Sequence, residues 1–385
     1  MDNNVRFVIF SGANERAIIA ACRHFQHNGS KVSIIGVPGV DKLNFSRFYK
    51  LIDVLRTKNE LDAVDMLASV TELVALYPYE KLVYLPTTES INRIILNNRN
   101  DFSTAGLNIS LVSKDIYESV SNKETFLNLA QQFKILLPPI LENVRKENLP
   151  VVAKPRTEYS LKTGKKLYPE LIFTQERLTA FLSLKSTDDY FFQKYLDGKS
   201  YYYLIHIPEH DNPFILYQRN LLQQENGKSI IMAERCACPD RAFEEKIVSA
   251  LRSVSFFGLI MIEIMQINNN SYLIEANPRL WGPFELAIKS GLLPEFILRT
   301  TSVRTVDTNS NAKYLWLNGY IATLARGEIP RSYLNKRESL LKILPFFLCS
   351  DIYLKKDTIA LFFYELYFSI KSWRKKRIFT QNEKK

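Results

Sequence analysis

The sequence predicts an α/β protein in which a parallel N-terminal sheet is followed by a larger unit of α+β type. The first observation is the order of the N-terminal elements: an apolar strand at 6–10, helical spacing over 15–27 and a second apolar strand at 31–37. This order is typical of a doubly wound parallel sheet. The second observation is a pair of long strand patterns at 199–205 and 214–219, which we interpret as antiparallel neighbours.

Length and composition limit the possible classes of protein. A chain of 385 residues should form two or three domains, and 46% apolar content is ordinary for a globular protein. The net charge of +11 is compatible with phosphorylated ligands, nucleic acid or anionic lipid and does not choose among them. The four cysteines lack the spacing of a disulfide framework, and no apolar run reaches the roughly 18 residues of a membrane span. We therefore expect a cytoplasmic protein.

The N-terminal unit continues beyond its first two strands. Lys81–Pro86 is predicted as a further strand, and Thr87–Ile91 resembles a helix start with a capping residue. After the first strand, Gly12 is the one glycine where a dinucleotide-binding turn requires three. We do not expect a dinucleotide cofactor in this unit.

Two lysines follow at positions where a positive charge is unusual. Ser121 is a plausible helix N-cap with Glu124 three residues further on, so Lys123 is predicted in the first turn, where the helix dipole disfavours a cation. Lys154 lies in the apolar strand Pro150–Pro155, and a lysine there needs an anionic partner. A phosphate ligand would explain Lys123, which alone also fits an ordinary surface lysine.

The most informative stretch is a predicted β-hairpin that carries two glutamates. If its turn centres on Asn269, then Glu263 and Glu275 lie directly opposite each other. Because side chains alternate along a strand, Asn277 and Arg279 share the face of Glu275. The sequence therefore predicts a cluster of two carboxylates, an amide and a guanidinium.

The chemistry of this cluster indicates a metal site. Two opposed carboxylates repel each other, and a hard cation such as Mg²⁺ between them removes the repulsion, with the Asn277 amide oxygen as a further ligand. Arg279 beside the site indicates an anionic ligand. A solvated acidic face is the alternative, but Glu263 interrupts an otherwise apolar strand, where an unpaired carboxylate is costly.

At these residues the chain resembles the ATP-grasp superfamily, especially its carboxylate–amine ligases and carbamoyl-phosphate-synthase-like members. The run Glu275-Ala-Asn-Pro-Arg279, followed by Trp281-Gly282 and by Leu286–Gly291, is similar to the metal-binding end of those proteins. The resemblance covers roughly residues 5–300 and is strongest at the two ends of the nucleotide-binding part.

The resemblance implies a division of the chain into three parts. Residues 1–115 would form a Rossmann-like pre-ATP-grasp domain, which in this family usually contributes to the acceptor-substrate site. Residues 116–300 would form a two-subdomain ATP-grasp domain, with its lid at about 116–195. Residues 301–385 would be a C-terminal extension.

The resemblance also implies a role for each motif residue. Glu263, Glu275 and Asn277 would hold Mg²⁺ or Mn²⁺ against the phosphates of ATP. Arg219 and Arg279 would act catalytically, Arg219 at the phosphates and Arg279 at the developing oxyanion. The other nucleotide contacts would be Lys123 and Lys154 at the phosphates, Gln193, Lys194, Tyr195 and Leu196 at the adenine ring, and Ser200 near the ribose.

The chain departs from the family pattern at two places. Ser200 stands where the family has an acid for the ribose hydroxyls. The segment 156–166 has one glycine, Gly164, and four basic residues where the family has a glycine-rich flap over the phosphates. A degenerate nucleotide-binding module is therefore an alternative to an active enzyme.

The C-terminal part contains a strongly apolar helix pattern, Asp357–Trp373, followed by the basic run Arg374–Arg377. An aromatic helix with a basic end is able to lie on an anionic membrane. It is equally suited to pack in the core or in a homodimer. We favour packing, and peripheral membrane contact is the alternative.

Together these features predict an ATP-dependent ligase that joins a small-molecule carboxylate to an amine through an acyl phosphate. A carbamoyl-phosphate-type kinase or a carboxylase of the same fold would share every ATP-binding residue and is the second alternative. Nucleic acid is not expected as a partner because the basic and aromatic segments match no recognised binding module. By analogy, the product would belong to a surface glycan or a small metabolite.

Overall fold

The computed structural model shows the mixed α/β fold that the sequence predicts, and it contains one parallel and two antiparallel sheets. The structure describes residues 4–156, 160, 162–163, 167–185, 187–298, 311–335 and 338–382. The predicted flap at 156–166, including Gly164, lies largely outside the described residues.

The N-terminal sheet is parallel throughout. Its strands are β1 (Val5–Phe10), β2 (Lys31–Gly36), β3 (Ile52–Leu55), β4 (Lys81–Tyr84) and β5 (Leu107–Asn108). Its helices are α1 (Glu15–His27), α2 (Ala63–Leu76), α3 (Glu89–Asn97) and α4 (Arg99–Thr104). The strand order is β3-β2-β1-β4-β5. Phe7 and Ile9 face α1, whereas Val8 and Phe10 face α2, α3 and α4, so both faces of the sheet are covered.

The next elements build a small antiparallel sheet, which we call the lid sheet. They are α5 (Lys114–Ser121), α6 (Lys123–Gln132), β6 (Ile140–Leu141), β7 (Val151–Pro155), β8 (Glu170–Ile172), α7 (Gln175–Leu184) and β9 (Tyr190–Lys194). The strand order is β6-β9-β7-β8. Val151, Ala153 and Phe192 pack against Leu178 and Phe181 of α7 on one face. The opposite face is left for the side chains that alternate with them.

The start of α6 differs from the prediction. Ser121 ends α5, and its hydroxyl accepts a hydrogen bond from Arg93. The N-cap is Asn122, whose side chain accepts from the backbone N–H groups of Glu124 and Thr125. Asparagine caps a helix as well as serine does, so one residue of offset is enough to move the cap.

A seven-stranded antiparallel sheet, the central sheet, forms the largest layer. The elements from β10 to α9 are β10 (Lys199–Ile207), β11 (Phe214–Gln223), β12 (Ile230–Cys236), α8 (Arg241–Ser253), β13 (Gly258–Ile267), β14 (Asn270–Asn277) and α9 (Phe284–Lys289). The remaining elements are β15 (Lys313–Leu315), α10 (Leu317–Ala325), β16 (Arg331–Ser332), α11 (Leu340–Ile343), α12 (Pro345–Leu348) and α13 (Ile359–Asn382). The order is β14-β13-β10-β11-β12-β15, and β16 pairs with β11.

The residues predicted as a C-terminal extension are integrated into this sheet. β15 pairs with β12, and β16 pairs with the end of β11. The first turns of α13 pack inward: Leu361 and Phe362 are buried, and Tyr364 stacks on Phe45 with ring centroids 3.8 Å apart. The C-terminal residues therefore complete the core.

The outer side of α13 remains accessible. Phe363 and Tyr367 are 60% and 59% exposed, whereas Leu361 is fully buried, so the helix packs with one side only. The side chains of the basic run Arg374–Arg377 lie outside the described part of the structure. In the described residues, no helix combines the length and the apolar character needed to cross a membrane.

Truncation after Lys356 tests the packing of α13. We expect aggregation, because the deletion uncovers the partners of Leu361 and Phe362 and removes the backbone acceptor that Phe362 offers to Asn318 Nδ2 at 2.7 Å. A shorter truncation after Lys371 keeps these contacts and is the matched control. Size-exclusion chromatography measures the outcome. A soluble, fully active Lys356 truncation that merely loses sedimentation with anionic vesicles would contradict the packing interpretation.

Candidate active site

The predicted acidic hairpin is formed by β13 and β14. Its turn consists of Asn268 and Asn269, with φ of 46° and 66°, and regular pairing resumes at Ile267 and Asn270. Two successive residues with positive φ are typical of the type I′ turn, and asparagine tolerates this conformation better than most residues. The turn is therefore centred between Asn268 and Asn269, half a residue before the predicted position.

A β-bulge restores the predicted pairing. Continued without interruption, the register from the turn would place Glu263 opposite Ile274. The pairing instead shifts by one residue between Glu263 and Ile264, so Ile274 is the extra residue and Glu263 lies opposite Glu275. The predicted opposition of the two glutamates is thus observed, but it arises from the bulge. We call Glu263 and Glu275 the acidic pair.

The bulge also provides a contact between the central sheet and the lid sheet. Lys154 Nζ on β7 donates to the carbonyl of Ile274 at 3.0 Å. Burial lowers the pKa of Lys154 to about 8, an effect opposed by the carboxylate of Glu275 and reinforced by the charge of Lys123. The carboxylates of Glu275 and Glu263 thus act on this strand lysine, whose hydrogen bond goes to a backbone carbonyl.

The acidic pair is electrostatically unfavourable as it stands. Glu263 is 7% exposed, and burial, together with the charge of Glu275, raises its pKa to about 8. The charges of Lys154 and Arg331 lower the same pKa without cancelling the increase. A buried carboxylate opposite a second one favours the uptake of a proton or of a cation.

Asn277 and Arg279 extend the cluster at the end of β14. Asn277 is 5% exposed, and its Nδ2 donates to Glu275 Oε1 at 2.8 Å. Arg279 Nη2 donates to Asn277 Oδ1 at 3.1 Å, and Arg279 Nε lies 4.0 Å from Glu89 Oε1 on α3. The N-terminal unit thus meets the hairpin at Arg279.

A cleft between the lid and the hairpin collects four predicted residues: Lys123, Lys154, Glu275 and Asn277. Its walls come from α5, α6, the lid sheet, β14 and the start of α3. The remaining lining residues are Glu89, Val120, Ser121, Asn122, Phe126, Leu127, Phe191, Ile274 and Ala276. Two cations from one wall therefore face a carboxylate and an amide from the other.

The predicted adenine-contacting segment, with Asp197 added, forms the hinge (residues 193–197). Gln193 is 1% exposed and pairs with Val152, so it lies on the lid face of Lys154 and Phe191. Its Oε1 has no hydrogen-bond partner among the described residues. The next side chain, Lys194, is exposed. A contact of Lys194 with a nucleotide would therefore come from its backbone.

Several backbone groups of the hinge are already bonded. Lys194 N donates to the carbonyl of Pro139 at 2.9 Å, and Tyr195 N donates to that of Pro150 at 3.2 Å. The carbonyl of Leu196 accepts from Arg331 Nη2 at 2.9 Å. Base recognition by the hinge would therefore rely on its other backbone groups.

Ser200 lies on the same face of the central sheet as Glu263. It belongs to the face of Tyr202 and Glu263, because β10 and β13 pair Tyr202 with Glu263. Ser200 is fully buried, and its hydroxyl accepts from Asn220 Nδ2 at 2.8 Å. The predicted position of Ser200 near the nucleoside is compatible with this placement.

The structure does not bring Arg219 to the cluster. Tyr202 pairs with Gln218, so Gln218 shares the face of Glu263 and the next residue, Arg219, lies on the opposite face. There Arg219 forms ion pairs with Glu234 and Glu338. The sequence alone does not determine which face of the sheet Arg219 occupies. The predicted contact of Arg219 with the phosphates is not supported by this placement.

Two residues near the hinge were not predicted. Arg331 and Tyr333 lie on or directly after β16, a two-residue strand without a recognisable hydrophobic pattern. Arg331 contacts the hinge, and Tyr333 donates to Gln223 Oε1 at 2.6 Å. A strand this short gives no signal that sequence periodicity would detect.

No protein-family description matches the sequence, and no curated protein matches it. Solved structures do match. The biotin carboxylase domain of 2-oxoglutarate carboxylase from Hydrogenobacter thermophilus, in complex with MgADP, ADP and bicarbonate, has a TM-score of 0.54 at 12% identity, over 79% of this chain and 71% of that one. L-amino acid ligase from Bacillus licheniformis has a TM-score of 0.53 at 14% identity, over 78% and 74%.

A third similar structure is N5-carboxyaminoimidazole ribonucleotide synthetase from Thermus thermophilus. Its TM-score is 0.54 at 13% identity, and the match covers 80% of this chain and 81% of that one. At identities this low, the structural matches establish the fold alone and leave the substrate and the reaction open. The chain therefore has the ATP-grasp fold that its Glu275–Arg279 motif predicts.

Proposed function

We propose that the chain is an ATP-dependent ligase that joins a carboxylate to an amine through an acyl phosphate. The observation that carries the proposal is the acidic pair, of which Glu275 lines one cleft together with Lys123 and Lys154. Structural neighbours whose names include a ligase and a synthetase support this reaction class.

The donor set suits a hard divalent cation, Mg²⁺ or Mn²⁺. The described residues contain no group of three or more His, Cys, Asp and Glu side chains arranged for a metal, so the set is two carboxylates and the Asn277 amide. Mg²⁺ commonly binds through one or two carboxylates and takes its remaining ligands from water and substrate phosphates. The raised pKa of Glu263 means that the neighbouring positive charges are not sufficient to compensate the two carboxylates. Bound there, the ion would neutralise charge on the β- and γ-phosphates.

The two lysines would hold the phosphates from the opposite side. Lys123 comes from the first turn of α6 and Lys154 from β7. Without nucleotide, Lys154 donates to a neutral carbonyl, and a phosphate oxygen is a stronger acceptor. The pKa of Lys154, lowered to about 8, should rise again beside phosphate. Phosphoryl transfer depends mainly on such positioning and charge neutralisation.

Arg279 would bind the reacting carboxylate. Its guanidinium lies between Asn277 and Glu89, at the junction of the hairpin with the N-terminal unit. A planar fork of donors suits a carboxylate and also the oxyanion that develops when the acyl group is attacked. The acceptor substrate would therefore enter between α3 and the hairpin.

The reaction would proceed in two steps. An oxygen of the substrate carboxylate attacks the γ-phosphorus of ATP, the bond from that phosphorus to the bridging oxygen breaks, and ADP leaves. The amine nitrogen then attacks the acyl carbon, loses a proton, and inorganic phosphate leaves. No nucleophilic side chain of the protein is required.

Two alternatives keep specific support. A carboxylase or a carbamoyl-phosphate-type kinase would use the same ATP residues, and product identification separates it from the ligase. A binding module without turnover is motivated by Ser200 in place of the ribose acid. The acid, the amine, a role in surface glycan or small-metabolite biosynthesis, a cytoplasmic location and homodimer formation remain predictions, as does membrane contact.

Glu275→Gln tests the metal assignment. The change removes one charge from the acidic pair while keeping its shape, so ATP turnover against a panel of acids and amines should fall at least about a hundredfold. Glu234→Gln is the matched control, because Glu234 lies on the opposite face of the central sheet and pairs with Arg219. ADP release and amide formation are measured together. Turnover that survives in Glu275→Gln would refute the metal assignment, and wild-type protein that binds but never turns over ATP would favour the binding module.

The pH dependence of stability tests the electrostatics of the acidic pair. Glu263 binds its proton up to about pH 8 in the folded protein, against an ordinary pKa of 4.5. Its contribution to stability is therefore complete below pH 4.5 and is lost as the pH rises towards 8. Relative to metal-free wild type, Glu263→Gln should become more stable as the pH rises through this window, by at most about 1.4 kcal/mol per pH unit. Urea unfolding at several pH values measures the difference. Parallel curves for the two proteins would contradict the raised pKa.

A further inference from the structure

The short strand β16 places an arginine against the hinge. β16 pairs with the end of β11, where Gln223 lies opposite Arg331. Arg331 comes from the C-terminal part of the chain, whereas the hinge that it touches includes the end of strand β9 of the lid sheet. This one side chain therefore joins two parts of the chain that are about 135 residues apart in sequence.

Arg331 contacts three successive hinge residues. Its Nη2 donates to the carbonyl of Leu196 at 2.9 Å and lies 3.7 Å from Asp197 Oδ1. Its guanidinium also lies 4.7 Å from the ring centroid of Tyr195. A guanidinium bonded to a carbonyl and stacked on a ring restrains both position and orientation, which a lysine in its place would not do.

The same guanidinium is braced from the side of the central sheet. The ring of Tyr333 lies 4.8 Å from Arg331, and the Tyr333 hydroxyl is hydrogen-bonded to Gln223. Ser200 is a further hydrogen-bonding neighbour of Tyr333. Ser200 is the residue found where an acid would contact the ribose. The brace is therefore built into the nucleoside side of the site.

We propose that Arg331 is a positioning residue for the nucleotide. By holding the hinge against β16, it sets the distance between the backbone that reads the base and the acidic pair that receives the phosphates. Because Arg331 already occupies the carbonyl of Leu196, it also determines which hinge groups remain for the base. The inference rests on the proposed use of ATP and adds a residue from outside the lid to the nucleotide site.

The test compares Arg331→Met, Arg331→Lys and the control Arg326→Met. Arg326 is an arginine of the same C-terminal segment and forms an ion pair with Glu328. Calorimetry measures binding of MgADP and, separately, of inorganic tripolyphosphate with Mg²⁺. Loss of a charged hydrogen bond to the hinge should weaken MgADP binding about tenfold or more. Tripolyphosphate, which has no nucleoside, should bind all variants equally. Arg331→Lys should recover part of the MgADP affinity, and Arg326→Met should match wild type.

Two results would overturn the inference. If Arg331→Met binds MgADP as wild type does, the hinge does not depend on Arg331. Equal weakening of tripolyphosphate and MgADP would instead indicate a general structural defect. The ligase proposal is judged separately, because these measurements need no turnover. A protein that shows the expected Arg331 dependence but forms no amide with ATP would support the positioning role and refute the ligase.

Discussion

The repulsion between Glu263 and Glu275 is the interaction on which the rest of the site depends. A bulge at Ile274 creates it, because the type I′ turn alone would oppose Glu263 to an isoleucine. The same bulge residue offers its carbonyl to Lys154. One irregular residue therefore produces the acidic pair and ties the lid to it. Like charges held close together without a compensating group are typical of sites where a ligand supplies the opposite charge.

The layers of the fold surround this pair with positive groups from different parts of the chain. Lys123 and Lys154 come from the lid, Arg279 from the end of the hairpin, and Arg331 from the C-terminal strand. Because these elements are far apart in sequence, the site exists only when the lid, the N-terminal unit and the C-terminal residues are all packed on the central sheet. The C-terminal residues are consequently part of the site and its core.

The sequence was informative where the chemistry is local. Side-chain alternation and a short turn were enough to place Glu263, Glu275 and Asn277 together, and an apolar strand was enough to single out Lys154. The predicted role of Arg219 is not supported, because the face that this residue occupies depends on the register of β10 against both of its neighbours. The pattern of a single strand does not reveal that register. Arg331 was missed because a two-residue strand has no periodicity and its partner lies about 108 residues earlier. The bulge was not foreseen either, and the correct pairing was reached from a turn placed half a residue too late.

The most direct test of the central claim is to locate the cation. Crystals of the protein with Mn²⁺ and ADP allow the metal to be identified by its anomalous scattering. We predict an anomalous peak between the carboxylates of Glu263 and Glu275, in contact with both and with a phosphate oxygen. A peak that accompanies the nucleotide but touches neither glutamate would contradict the assignment of the acidic pair as the metal site.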